Sequence, residues 1–185
     1  MRAARVAWML QYAGSQNVFL LEGGFQAWKK SRFPVEKSLP SFEKKRFALR
    51  PNPKILASAK DTVVLKKGTV LDVRSLREYD GTESRECDKR RGRIPGAKWL
   101  EWTEFIDRHE KFEVAPRIAP TLRRMGLGKD MEIVTYCHRG ARAATAFYAL
   151  RSLGFRNVKN YIGSWHEWSA RRDLPLEKST HESKK

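Results

Sequence analysis

The chain has 185 residues, 41% hydrophobic and 11% aromatic, enough to bury the core of one ordinary domain with a fragment beside it. Lys and Arg number 38 against 21 Asp and Glu, and the formal charge of +17 attracts anionic partners of any kind from a distance. Two cysteines make neither a disulfide framework nor a cysteine metal cluster and suit the cytoplasm or another reducing compartment, and the longest apolar runs are too short to span a bilayer.

The first segment, from Met1-Arg2-Ala3-Ala4-Arg5, enters an amphipathic pattern without a signal-peptide cleavage site. It matches a later stretch without a gap. Arg2-Ala3-Ala4 lies over Arg142-Ala143-Ala144, Gly14 over Gly154, Asn17-Val18 over Asn157-Val158, Gly23 over Gly163 and Trp28 over Trp168. Each copy is expected to form a helix stopped by Gly, a short apolar strand, a Gly-containing turn and a short helix carrying tryptophan. Residues 1–36 therefore read as the closing part of a truncated first domain, with Met1 an internal start. Residues 37–50 are charged, contain proline and hold no period, which suits a linker. Residues 51–178 read as a complete second unit and 179–185 as a charged tail.

Within that unit Ser58 to Val64 suits a short helix, Thr69 to Val73 a buried strand, and Ala97 to Trp99 a strand after the turn Ile94-Pro95-Gly96. Pro120 to Met125 suits a helix closed by Gly126, Glu132 to Tyr136 a strand, Gly140 to Leu153 a long helix and Val158 to Tyr161 a final strand. Strands alternating with helices imply an α/β fold, a parallel sheet covered on both faces, with ligands beyond the carboxyl ends of the strands. The basic runs Lys44-Lys45-Arg46, Lys89-Arg90-Arg91-Gly92-Arg93, Arg171-Arg172 and Lys184-Lys185 fall between apolar segments and read as solvated loops. Nucleic acid is a weak candidate partner, because no DNA- or RNA-binding signature accompanies them.

Cys137 stands at such a strand end, just before a helix whose free N–H groups point back into the loop. His138, Arg139 and Arg142 add cations, while Gly140 and Ala141 let the backbone close around an anion. These surroundings favour a nucleophilic thiolate over an inert buried thiol. Cys87, in Glu86-Cys87-Asp88, reads as a bystander surface thiol, with a resolving role the less economical alternative. His109, His166 and His181 show no ligand spacing, so no metal is expected.

Tyr136-Cys137-His138-Arg139-Gly140-Ala141-Arg142-Ala143 resembles the active-site loop of the rhodanese sulfurtransferases. Leu71-Asp72-Val73-Arg74 is similar to their strand-end motif, and Gly92-Arg93-Ile94-Pro95-Gly96-Ala97 to their G-H-I-P-G-A turn with Arg93 in place of histidine. Gly154-Phe155-Arg156-Asn157-Val158 and Gly163-Ser164-Trp165-His166-Glu167-Trp168 complete the pattern, so the resemblance covers residues 52–178, and residues 1–36 resemble the closing third of another such domain.

The resemblance implies a tandem-domain thiosulfate sulfurtransferase without metal or organic cofactor. The implied nucleophile is Cys137, which takes the outer sulfur of thiosulfate as a persulfide and hands it to cyanide or a thiol. His138, Arg139, Gly140, Ala141 and Arg142 would bind substrate, and Asp72 and Arg74 would brace the loop. In animal thiosulfate rhodaneses an arginine lies where this chain has Glu78, with Arg77 one position away. Three other readings stand beside this one. 3-Mercaptopyruvate sulfurtransferases carry small neutral residues after the cysteine, so His138 and Arg139 favour thiosulfate. Phosphatases of this fold leave five residues between Cys and Arg, where Cys137 and Arg142 leave four. A persulfide relay or a protein-binding module is the third, and retention of Cys137 argues against an inert module.

Overall fold

The computed structural model describes residues 1–179 except 64, 66, 67, 110, 113 and 114. Val64 and all of the expected tail beyond Ser179 lie outside the described residues. The order is α1 (Arg2–Tyr12), α2 (Gly24–Lys30), β1 (Leu56–Ala57), α3 (Ala59–Val63), β2 (Gly68–Asp72), α4 (Leu76–Asp80), β3 (Lys98–Trp99), α5 (Ala115–Arg124), β4 (Glu132–Tyr136), α6 (Ala141–Ser152), β5 (Val158–Tyr161) and α7 (Ser164–Ala170). The five strands form one sheet in the order β1-β5-β4-β2-β3, every pair parallel. The chain is α/β, with helices flanking a parallel sheet, as the alternation implied.

Alternation along the strands divides the core between the two faces of the sheet. Leu71, Ile133 and Val158 join a cluster with Phe147 and Leu150 of α6, while Val70, Val134, Tyr136 and Tyr161 join Trp165 and Trp168 of α7 on the other face. Helix α6 has a run of small residues, and Ala143, Ala144, Ala146 and Ala149 are all fully buried. Its burial on more than one side is explained by α1, whose Ala4 and Trp8 enter the same cluster. The helix ends on Gly154 at φ 87, where the Phe155 N–H reaches the Leu150 carbonyl at 3.1 Å and the Gly154 N–H reaches that of Arg151 at 3.0 Å. That closure needs a left-handed residue, and glycine supplies it without strain.

The central strand β4 feeds α6 and then β5 on one side, whereas β2 feeds α4 and then β3 on the other. The connections diverge at the carboxyl ends of β2 and β4, where Asp72 and Tyr136 are paired in register. A crevice at such a switch point is where ligands enter parallel sheets.

Three local expectations are corrected, and one short strand is added. Residues 17–21 form no strand, although they were expected to copy Val158 to Tyr161. A strand needs a neighbour for its backbone groups, and Phe19 and Leu21 are instead exposed. Pro120 does not start its helix but sits inside α5, which begins at Ala115 and carries Pro116 in its first turn, where a missing N–H costs nothing. The two-residue edge strand β1 was not anticipated, being too short for any periodic signal. The run Lys89 to Arg93 is not simply solvated. Arg90 hydrogen-bonds the carbonyls of Trp168, Ser169, Arg171 and Leu174 around the end of α7, and the Arg93 guanidinium stacks 4.5 Å above the ring centre of Tyr79 while pairing with Glu177.

Candidate active site

Cys137 is the first residue beyond β4 and is 2% exposed. Its carbonyl accepts from the Trp165 N–H at 2.9 Å, and the His138 carbonyl accepts from the His166 N–H at 3.0 Å, so the start of α7 holds one side of the loop. The Cys137 N–H donates to Ser164 Oγ at 3.2 Å, and that hydroxyl donates to the Tyr161 carbonyl at 2.7 Å. Ser164 has φ 53, a conformation disfavoured for a residue with a side chain. Its hydroxyl contacts hold it there. Sequence reasoning missed this role, although a signal existed: the position aligned with it in the first copy, Gly24, also has a positive φ, 59.

Gly140 turns the loop into α6 at φ 76, and a Cβ there would lie 3.0 Å from Ile162, so the position requires glycine on both counts. The turn leaves the N–H groups of residues 138–143 without a backbone carbonyl to bind among the described residues. Ala141 lies in the first turn of this helix. Unspent N–H groups at a helix start stabilise negative charge without a side chain.

The side chains of the loop separate. Arg139 is exposed, with Nη2 3.7 Å from Cys87 Sγ and 3.4 Å from His166 Nε2. Arg142 pairs with Glu78, with 2.6 and 2.8 Å contacts from its two terminal nitrogens. His138 Nε2 lies 2.9 Å from Asp88 Oδ1. Burial pushes the His138 pKa below its usual value; Asp88 opposes the shift, while Arg85 and Arg139 add to it. The Asp88 carboxylate is the one contact that favours a charged imidazole there. Of the three expected cations, Arg139 is the one whose charge faces solvent.

Asp72 and Arg74 lie behind the loop, fully buried. Arg74 binds Asp72 through Nε at 3.0 Å and Nη2 at 2.6 Å, and Nη2 also reaches the Gly92 carbonyl at 2.8 Å. Tyr136 donates to Asp72 Oδ2 at 2.5 Å and accepts from the Ile94 N–H at 3.2 Å. The Arg74 guanidinium also sits 4.7 Å from the ring centre of Trp165. Burial opposes its charge, but Asp72 and Tyr136 outweigh burial and hold its pKa above the usual arginine value. This network ties the ends of β2 and β4 to the turn at residues 92–94, and a buried charge pair so fully hydrogen-bonded acts as a fixed wall.

A broad cleft lined by Gln11, Arg50, Asn52, Glu132 and Lys159 opens at the amino end of the sheet, away from Cys137.

The model of the Rhodanese-like domain matches residues 53–171, bracketing both strand ends and the whole Cys137 loop. The chain belongs to the rhodanese family. This rhodanese chain is 32% identical to the sulfur carrier protein TtuD of Thermus thermophilus, over 95% of its own length and 67% of the relative. It is 33% identical to a thiosulfate sulfurtransferase of Azotobacter vinelandii and 30% identical to a 3-mercaptopyruvate sulfurtransferase of Escherichia coli, covering 65% and 63% of them. Among solved structures, the anaerobic ergothioneine biosynthesis enzyme of Chlorobium limicola in complex with trimethyl histidine superposes with a TM-score of 0.89 at 26% identity. That match covers 95% of this chain and 45% of the other. The rhodanese chain thus spans about two thirds of these curated relatives and less than half of that enzyme.

Proposed function

We propose that this chain is a sulfurtransferase whose Cys137 carries sulfur as a persulfide from thiosulfate to a thiophilic acceptor. The observation that carries the reading is Cys137 at the carboxyl end of the central strand, followed directly by residues 138–143, whose N–H groups bind no backbone carbonyl among the described residues. In the first half-reaction the Cys137 thiolate attacks the outer sulfur of thiosulfate. A new S–S bond forms, the S–S bond of thiosulfate breaks, and sulfite leaves with the electron pair. In the second half-reaction cyanide or a thiolate attacks the terminal persulfide sulfur and Cys137 departs as thiolate. The loop N–H groups stabilise the persulfide anion, and Arg139 attracts the incoming dianion and the departing sulfite. Asp72 and Arg74 brace the loop from behind without touching substrate.

A thiosulfate–cyanide assay tests the reading. Cys137→Ser is expected to reduce thiocyanate formation to the uncatalysed level, while Cys87→Ser retains it. Mass spectrometry after thiosulfate treatment is expected to show a gain of one sulfur atom on the peptide holding Cys137. Undiminished sulfite release by Cys137→Ser would overturn the mechanism.

A second reading takes 3-mercaptopyruvate as the sulfur donor. The Glu78–Arg142 pair favours it, because Glu78 spends the charge of Arg142 and leaves fewer cations for a dianion. The relative rates with the two donors, measured at equal concentration, discriminate them.

A further inference from the structure

Beside the Cys137 loop, four side chains from three segments converge. Cys87 and Asp88 come from the loop after α4, His138 from the loop after β4, and His166 from α7. One donor atom from each lies within 4.8 Å of all the others. Cys87 Sγ is 3.7 Å from His138 Nε2, which is 2.9 Å from Asp88 Oδ1, and that oxygen is 4.0 Å from His166 Nδ1. The two imidazoles meet edge to face with ring centres 5.5 Å apart. His166 Nδ1 is buried without a hydrogen-bond partner among the described residues, unusual for a ring nitrogen held so close to a carboxylate.

We propose that Cys87, Asp88, His138 and His166 form a binding site for a thiophilic divalent cation of the Zn²⁺ type. One sulfur, two imidazole nitrogens and one carboxylate oxygen make a four-donor set of the kind zinc prefers, whereas Mg²⁺ and Ca²⁺ take oxygen. As thiolate and carboxylate, Cys87 and Asp88 balance a charge of two, so the site adds none to a chain already at +17. Bond lengths of about 2.0–2.3 Å place tetrahedral ligands roughly 3.3–3.8 Å apart. The separations of 2.9, 3.7 and 4.0 Å bracket that range, so small side-chain rotations complete the site. The Asp88 side chain is 2% exposed and anchors the cluster inside, while Cys87 is exposed and gives the ion an entrance. Ligation through His166 Nδ1 puts the ring proton on Nε2. Arg139 then gives up its contact there and turns to solvent.

Such an ion would clamp the loop bearing Cys87 and α7 to the residue next to Cys137, and so stiffen the border of the active site. The cluster excludes Cys137 itself, and the proposal stands whether or not the chain transfers sulfur.

Titration of the whole chain with Co²⁺ tests it. The expected result is a single equivalent of bound cobalt with the intense visible bands of a tetrahedral site and a near-ultraviolet thiolate-to-cobalt band, both removed by competing Zn²⁺. Cys137→Ser is expected to keep both signals. Cys87→Ser loses the thiolate band, and His166→Gln weakens binding by more than about tenfold, beyond the lower end of the loss seen on removing an outer-shell partner. Circular dichroism checks that each variant is folded; if His166→Gln is not, Cys87→Ser on the exposed loop decides the matter alone. Failure to bind one equivalent, or a thiolate band that survives Cys87→Ser and vanishes with Cys137→Ser, overturns the proposal.

Discussion

Arg142 reaches Glu78 with both terminal nitrogens, and Glu78 also completes the capping box of α4, its Oε2 accepting from the Ser75 N–H at 3.2 Å. Burial alone would raise the Glu78 pKa. The hydrogen bonds and charge of Arg142 outweigh it, helped by the Ser75 N–H, and hold it at about 2 against an ordinary 4.5. A carboxylate depressed in the folded state stabilises it fully above the unfolded value and loses that contribution as pH falls toward the folded one. Glu78→Gln keeps a residue able to complete the capping box but removes the charge. It is expected to cost about 1–3 kcal/mol at neutral pH, the range for losing a charged hydrogen-bond partner. The difference from wild type should shrink as pH drops from about 4.5 toward about 2. Urea unfolding at neutral pH and at pH values within that window measures it, and an unchanged difference across the window would show that the ion pair does not stabilise the fold.

At the scale of elements, α1 and α6 show what the sequence made legible and what it did not. Strands β4 and β5 were readable to the residue because β-branched and aromatic side chains stood between clear Gly or loop boundaries. Cys137 was readable because strand, loop and helix start fall within a few residues. The partners of that loop were not, since Glu78, Asp88 and Ser164 come from other segments and no local spacing joins them. Helix α2 at Gly24–Lys30 falls 140 residues before α7 at Ser164–Ala170, the offset of the match between residues 1–36 and the later stretch. The strand expected at residues 17–21 does not form, and those residues pair with no strand among the described residues. The helix α1 nevertheless packs on α6, with Ala4, Ala7 and Trp8 buried and Gln11 Oε1 accepting from the Tyr148 hydroxyl at 3.0 Å. If that contact supports the whole core, Trp8→Ala is expected to destabilise the chain by about 3–5 kcal/mol, as large-to-small core substitutions do. Trp8→Phe should cost much less, because the indole N–H has no partner to lose among the described residues. Equilibrium denaturation of both variants measures this, and a negligible loss in Trp8→Ala would mean that α1 is not part of the core.

For the whole molecule, charge is the property that the fold both consumes and displays. Arg74, Arg90, Arg93 and Arg142 are held by buried carboxylates, backbone carbonyls or ring faces, so they contribute more to architecture than to recognition. Among the described residues no helix is long and apolar enough to cross a membrane. Among the described residues Arg139 and the run Lys44-Lys45-Arg46 are exposed, where their share of the net +17 acts at range. Salt shortens that range, from about 10 Å at 0.1 M to about 3 Å at 1 M. A dianion such as thiosulfate should therefore be captured faster at low ionic strength, and kcat/KM for it is expected to fall by roughly tenfold or more as salt rises from millimolar to molar, the low end of electrostatic steering. The second half-reaction, in which a singly charged thiolate attacks, should change less, because a monoanion gains less from the field than a dianion. Measuring both half-reactions across a salt series separates steering from general inhibition by salt. A thiosulfate rate that stays flat while the fold remains intact would assign capture to the short-range N–H groups of the Cys137 loop alone, and leave the net charge without a part in it.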